Sequence, residues 1–255
     1  MKYDLEYLKQ KYGYEIEGMW LPRVTAVTSV FANPFLQKGG NGFLREQLMN
    51  AAEWGTLVHK TVGEILRGES VNVPSRISIS IDAFKQWHKD SSLHLKDPSE
   101  DIEKLVVDFE HGFAGTLDLI AELEGVLCVI DIKTTTTISK QHLLQTAAYM
   151  AAYNKENGNA CKKRWILRID QYRECKGCLA KIREKYGRAR TQGGKAICNH
   201  QWGEIKGEIE LKELPDFTKD IGEFLEAKDR WEWKNREWLS KIANYPKTVQ
   251  EKLYV

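Results

Sequence analysis

No stretch of the 255-residue chain is apolar for long enough to cross a bilayer. The longest run, around residues 126–132, is far short of the ~20 residues a span requires, and the charged N-terminus MKYDLEYLKQKYGYE has no hydrophobic core of a signal peptide. Cysteine is equally uninformative of export. The five thiols, Cys128, Cys161, Cys175, Cys178 and Cys198, are odd in number and unevenly spread, unlike the even, dense framework of a small secreted domain. The expectation is a reducing, cytoplasmic setting, in a bacterial or phage-infected cell. No internal repeat is visible, and there is no large excess of either charge, the total being +2.

What is there is a composition ordinary for a globular protein, 42% apolar and 29% charged, which suffices for a real core. The charge is concentrated in one region. Twelve basic residues stand against three acidic ones in residues 162–195, a local +9, so the rest of the chain carries −7. A basic block on an acidic chain is the footprint of a phosphate-backbone binder, although a solvated lysine-rich face gives the same signal.

Periodicity orders the elements. Residues 3–12 are weakly helical. Residues 21–30, rich in β-branched side chains before the breaker pair Asn33 and Pro34, predict a short extended lead-in. Residues 43–66 and 79–87 carry apolar residues at helical spacing, and residues 97–100 read as a turn. The period then falls to two across residues 103–110, 113–123 and 125–133, three successive strands suggesting a meander. A helix over 143–154, a strand over 164–170, a strand over 207–214 and a C-terminal helix carrying Trp231, Trp233 and Trp238 complete the order. About 36 residues separate the last two strands, beyond an ordinary loop. We expect residues 1–170 and 204–255 to form the core, with 171–203 an inserted basic subdomain.

The chemistry gathers near the middle. Asp131 and Lys133 are two apart at the end of an apolar strand, so carboxylate and ammonium project from one face. Asp118 comes from the preceding strand across a turn at Glu124 and Gly125; a hairpin brings the two aspartates close enough to share a divalent cation. Hard cations such as Mg²⁺ or Mn²⁺ take such oxygens, and a neighbouring lysine can orient water or neutralise the charge of a pentavalent phosphorus. An Asp-x-Lys on a strand is commonly only a surface ion pair. The buried character of Leu127, Cys128, Val129 and Ile130, and Gly115 ahead of Asp118, set this one apart.

The succession Gly55-x-x-x-His59, Glu103, Gly115-Thr-Leu-Asp118, Asp131-Ile-Lys133 and Gln145-x-x-x-Tyr149 resembles the PD-(D/E)xK nuclease superfamily. Within it the RecB-like exonuclease branch, with its mitochondrial genome maintenance exonucleases and phage relatives, is the most similar. The resemblance spans roughly residues 20–170 and includes Pro22-Arg-Val-Thr-Ala-Val-Thr. It implies an α/β fold of restriction-endonuclease type, with a central mixed sheet flanked by helices. It also implies metal ligation of one or two Mg²⁺ or Mn²⁺ ions by His59, Asp118, Asp131 and the backbone carbonyl of Ile132, with Lys133 as the catalytic lysine. Gln145 and Tyr149 line the site in this reading, and Glu103 supplies a further acidic group. No proline precedes Asp118, a departure that is usual in this branch.

Cys175-x-x-Cys178, followed by Cys198-x-His200, has the donors for a tetrahedral Zn²⁺ site. Some RecB-like relatives carry an iron–sulfur cluster whose first cysteine precedes the histidine motif; here no cysteine precedes Cys128, although Cys161 offers a further thiolate. The expected activity is DNA exonuclease action on single-stranded ends in DNA processing, repair or recombination, with Lys176, Lys181, Arg183, Lys185, Arg188 and Arg190 contacting the backbone and Trp202, Tyr172 and Tyr186 available to stack bases. A double-strand end-resecting or structure-specific endonuclease, and a catalytically inert nucleic-acid-binding module, are the alternatives.

Overall fold

The computed structural model describes residues 4–31, 42–185 and 189–246. Helix α1 (Leu5–Tyr12) leads into a small hairpin, β1 (Gly13–Ile16) and β2 (Met19–Pro22). Residues 24–28 depart from the extended expectation: Val24–Thr28 is a helix, α2. Its Val24, Ala26, Val27 and Thr28 are all buried, Val24 and Val27 in a cluster with Leu144, Ala148 and Phe224. That tertiary burial outweighs the β preference of branched side chains, which is only a fraction of a kcal/mol per residue, ~0.5.

Helices α3 (Gly42–Leu66) and α4 (Ser78–Asp90) follow as the periodicity predicts. Residues 97–100, expected as a turn, start a single helical turn, α5 (Pro98–Asp101), because Asp97 accepts the Ser99 amide and Pro98 occupies the first helical position. Then come β3 (Ile102–Asp108), β4 (Phe113–Leu123) and β5 (Val126–Lys133), an antiparallel meander. Glu124 and Gly125 join β4 to β5 with both φ positive, the two-residue turn that matches the twist of a hairpin.

Helix α6 (Lys140–Glu156) crosses over to β6 (Lys163–Cys175), which lies parallel to β5. Short strands β7 (Lys181–Arg183) and β8 (Arg190–Gln192), the long β9 (Trp202–Glu213) and helix α7 (Phe217–Leu239) complete the chain. The result is a seven-stranded mixed sheet in the order β3-β4-β5-β6-β7-β8, with β9 on the far edge of β6.

Strand β6 is the axis of this sheet. One edge takes β5 from Lys163 to Arg168 and β7 at Arg173 and Glu174; the other takes β9 from Trp165 to Cys175. Two apolar layers cover the faces. On one, Trp54, Val58 and Val62 of α3 and Ile81 and Phe84 of α4 meet Leu119, Ile130, Ile132, Leu167 and Ile169. On the other, α2, α6 and α7 cover Val106, Phe113, Leu117, Ile120 and Val129.

The α6 contact requires glycine at position 115. A Cβ there would stand 2.5 Å from Cε1 of Tyr149 and 3.1 Å from Cγ2 of Val24, so the aromatic ring lies directly on the β4 backbone. At the N-terminus of α6 the Ser139 amide donates to His142 Nδ1 at 3.2 Å. Burial, assisted by the Lys133 charge, holds His142 down to about 4, consistent with an unprotonated acceptor.

Two consequences are open to measurement. Gly115→Ala should cost about 1–3 kcal/mol from overpacking and shift Tyr149; a variant with unchanged denaturant midpoint would show that the ring is not held there. For His142 the folded pKa lies below the unfolded value of about 6.5, so its stabilisation is complete above that pH and is lost as pH falls from about 6.5 towards 4. Discounted for partial exposure, the loss is about 2 kcal/mol. In His142→Gln, which keeps an acceptor but does not titrate, unfolding curves across this window should show a correspondingly shallower pH slope.

Candidate active site

The β4–β5 ladder runs in register from Leu123↔Val126 to Leu119↔Ile130 and there stops. Asp118 and Asp131 are the next opposing residues. At the same point β4 changes phase: Leu117 packs with the α6 layer and Leu119 with the α3 layer, although two residues apart on a regular strand would share a face. Asp118 therefore turns towards α3, where its Oδ1 lies 3.3 Å from His59 Nδ1, and its Oδ2 accepts the Ile132 amide at 2.6 Å. This side-chain bond replaces the ladder bond the strands have given up.

Asp131 and Lys133 project together towards α6, as strand alternation dictates. Asp131 is fully buried, with Oδ2 at 2.6 Å from Lys133 Nζ and Oδ1 accepting from Gln145 Nε2 at 3.2 Å. The same Gln145 nitrogen is 3.0 Å from the Tyr149 hydroxyl, so the i, i+4 pair on α6 acts as one bracket on the carboxylate. Among the described residues Asp131 Oδ2 completes no hydrogen bond, despite the close ammonium; the lysine stands near it without the alignment of a hydrogen bond.

The electrostatics favour a cation. Burial, opposed by Lys133 and reinforced by Asp118, raises Asp131 to about 6. Burial also acts to raise Asp118, but His59, Lys133 and the Ile132 amide bring it below the ordinary carboxylate value. Burial works against the charge of His59 and Lys133, yet the two aspartates raise both, keeping Lys133 an ammonium. Two carboxylates where the ladder ends, one fully buried and one partly, beside an imidazole, have the donor chemistry of a divalent-cation site. His59, Asp118 and Asp131 fit a hard or borderline ion, and the Ile132 carbonyl lies on the strand between Asp131 and Lys133.

Sequence reasoning named His59, Asp118, Asp131, Lys133, Gln145 and Tyr149, and the fold brings all six together. Glu103 is placed differently from the rest. It lies across β3 from Asp118, between the pairs Ile102↔Leu119 and Lys104↔Leu117, at φ 53° and exposed to solvent.

A second cluster lies at the far end of β6. The ligand atoms of Cys175, Cys178, Cys198 and His200 all lie within 4.8 Å of one another. Cys175 and Cys198 sulfurs are 3.8 Å apart and Cys178 Sγ is 3.3 Å from His200 Nδ1. A disulfide would require about 2.05 Å, whereas a tetrahedron with arms of about 2.3 Å has edges near 3.8 Å. Desolvation opposes it, but the Gly177 amide and His200 lower the Cys175 thiol to about 6, while Cys178, desolvation and Cys175 push Cys198 up to about 11. Gly194, at φ 80°, folds over the cluster where a Cβ would meet Cys178 Sγ at 2.8 Å. Cys161 takes no part: it is buried in the α6 core, donates to the Lys163 carbonyl and is pushed up to about 11 by burial.

The basic block is not one exposed face. Lys176 is exposed. Lys181 pairs with Glu208 at 2.7 Å and covers the Tyr172 ring at 4.0 Å. Arg183, only 6% exposed, lies 2.5 Å from Asp170 and 3.2 Å from Glu208, and Lys185 pairs with Asp170 at 2.7 Å. Arg190 lies on β8 opposite Arg183; Arg188 and Tyr186 lie outside the described residues. Trp202 packs against His200, ring centres 4.7 Å apart.

Sequence reasoning missed the acidic half of this network. Asp170 also binds Arg168 at 3.0 Å, and Arg168 in turn holds Glu208 and Glu210. The available signal was the run of charged residues Arg164, Arg168 and Asp170 at even spacing in an otherwise apolar strand.

The profile of the PD-(D/E)XK nuclease superfamily matches residues 35–210. No curated protein matches the chain. The matched segment contains every residue of the carboxylate, lysine and histidine site and the mixed sheet that carries it, apart from the last three residues of β9, and the chain belongs to the PD-(D/E)XK nuclease superfamily.

Proposed function

We propose that this chain is a Mg²⁺- or Mn²⁺-dependent deoxyribonuclease of the RecB-like branch, acting as an exonuclease on single-stranded DNA ends. The observation that carries the reading is the convergence where the ladder ends of Asp118, turned towards His59, and Asp131, turned towards Lys133 and Gln145. His59, Asp118, Asp131 and the Ile132 carbonyl would hold the divalent cation, which would supply Lewis acidity towards the scissile phosphate and water. Lys133, held as an ammonium, donates to the phosphate oxygens as negative charge builds on them. Gln145 fixes the rotamer of Asp131, and Tyr149 fixes Gln145. Glu103, being exposed, contributes a second acidic group only at the rim, towards incoming substrate.

The Cys175, Cys178, Cys198 and His200 cluster is a structural Zn²⁺ site in this reading. It organises residues 171–203 as a basic inserted unit on the nuclease core of residues 1–170 and 204–255. Lys176, Lys181, Arg188 and Arg190 of that unit are the backbone contacts, while Arg183 and Lys185 hold its interior together.

Lys133→Ala should reduce cleavage by about 10²-fold or more while DNA binding persists, measured as a time course on 5′- and 3′-labelled single strands, duplexes and circles. Full activity in that variant would sink the assignment. Degradation of circles would select an endonuclease, and binding without cleavage by the wild type the inert module. Elemental analysis should find one zinc per chain, lost in Cys178→Ser, with a fall in Tm of several degrees, each kcal/mol being worth roughly 2–4 °C at this length.

A further inference from the structure

We propose that Lys185 is a positioning residue that fixes the end of β5, and with it Lys133, by donating to the Thr134 carbonyl while anchored on Asp170; this rests on the nuclease reading of that site. The ammonium of Lys185 reaches across from the segment after β7 to the first residue beyond Lys133, and its other partner, Asp170 Oδ1, is 2.7 Å away.

The place it occupies is a break in the sheet. Along one edge of β6 the pairing with β5 ends at Lys133↔Arg168 and pairing with β7 resumes at Arg173↔Ile182. Between those points no strand among the described residues borders that edge, so the β5 terminus carrying Lys133 has no ladder there to continue it. The Lys185 side chain spans this gap. Arg168 is in register with Lys133, so Arg168 and Asp170 project from the same sheet face as Asp131 and Lys133. The charge network and the catalytic carboxylate therefore share one surface.

The anchor is rigid. Asp170 is fully buried, and besides Lys185 its carboxylate accepts from Arg168, Arg183 and the Gln171 amide, at 3.0, 2.5 and 2.9 Å. Burial lowers the proton affinity of Lys185, and Arg183 and Arg168 lower it further against the pull of Asp170. A cation held under such opposition is not needed for neutralising Asp170, which already has two guanidinium groups. What Lys185 alone provides is the bond to Thr134. The loop that starts there leads into α6, so a displaced Thr134 moves both Lys133 and the Gln145–Tyr149 bracket.

Because Arg168 and Arg183 remain, Lys185→Met should fold with a Tm within a few degrees of wild type. On end-labelled oligonucleotides with Mg²⁺ or Mn²⁺ it should lose about tenfold or more in kcat, with KM within about twofold, and Lys185→Arg should restore most of the loss. In cation-free protein, amide exchange at residues 134–137 should quicken in Lys185→Met and not in Lys185→Arg. Unchanged kcat with unchanged exchange would overturn the proposal, as would a raised KM at constant kcat, which marks a direct phosphate contact. If the wild type cleaves no nucleic acid, the nuclease reading fails, and the exchange measurement still decides whether Lys185 holds the strand end.

Discussion

Mutual repulsion between two carboxylates is the constraint around which this protein is arranged. Asp118 and Asp131 come from antiparallel neighbours that stay paired up to Leu119↔Ile130 and separate at the next residue. A complete ladder would set them side by side on one face, and held together without compensation, one would take up a proton. The structure instead gives each its own partners: Asp118 has His59 and the Ile132 amide, Asp131 has Lys133 and Gln145. The partners come from three elements, His59 from α3, Ile132 and Lys133 from β5 and Gln145 from α6, so no single side-chain rotation satisfies both carboxylates.

Strand β6 extends this constraint across the molecule. Its first half supports β5 and so the acidic pair; its last residue is a ligand of the Cys/His cluster. Between them lie Arg168 and Asp170, buried charges that would be costly alone and are tolerable because Glu208, Glu210 and Arg183 complete them. Such a network contributes little net stability compared with apolar packing, and it ties β6 to β9 through Arg168, Glu208 and Glu210.

What could be read in the sequence was what local spacing encodes. Asp131 and Lys133 share a face because they are two apart on a strand, and Gln145 and Tyr149 share one because they are four apart on a helix; Gly115 foretold a close approach to the β4 backbone. The meander of three strands followed from the change of period, and the mixed sheet from the family resemblance. Residues 24–28 were misread because their β-branched side chains favour strands locally and only contact with α6 and α7 makes them helical. The basic block was read as a surface because a sequence gives the count of charges and not their partners. Arg183 meets Asp170 and Glu208 through strand pairing 13 and 25 residues away, and nothing in the local pattern announces it. Cys161 lay near the other thiols in sequence, yet belongs to the α6 core.

The Cys/His cluster sits where β6 and β9 part, with Cys175 on one strand and Cys198 and His200 just before the other. A tether at the fork of two strands isolates the segment beyond it. The chain between Cys178 and Cys198 is held at both ends, and it is this closed segment that carries Arg183 and Lys185 to the buried Asp170. The fork thus ties two distances together: the span that joins β6 to β9 also sets the reach of Arg183 and Lys185 to the buried carboxylate of Asp170.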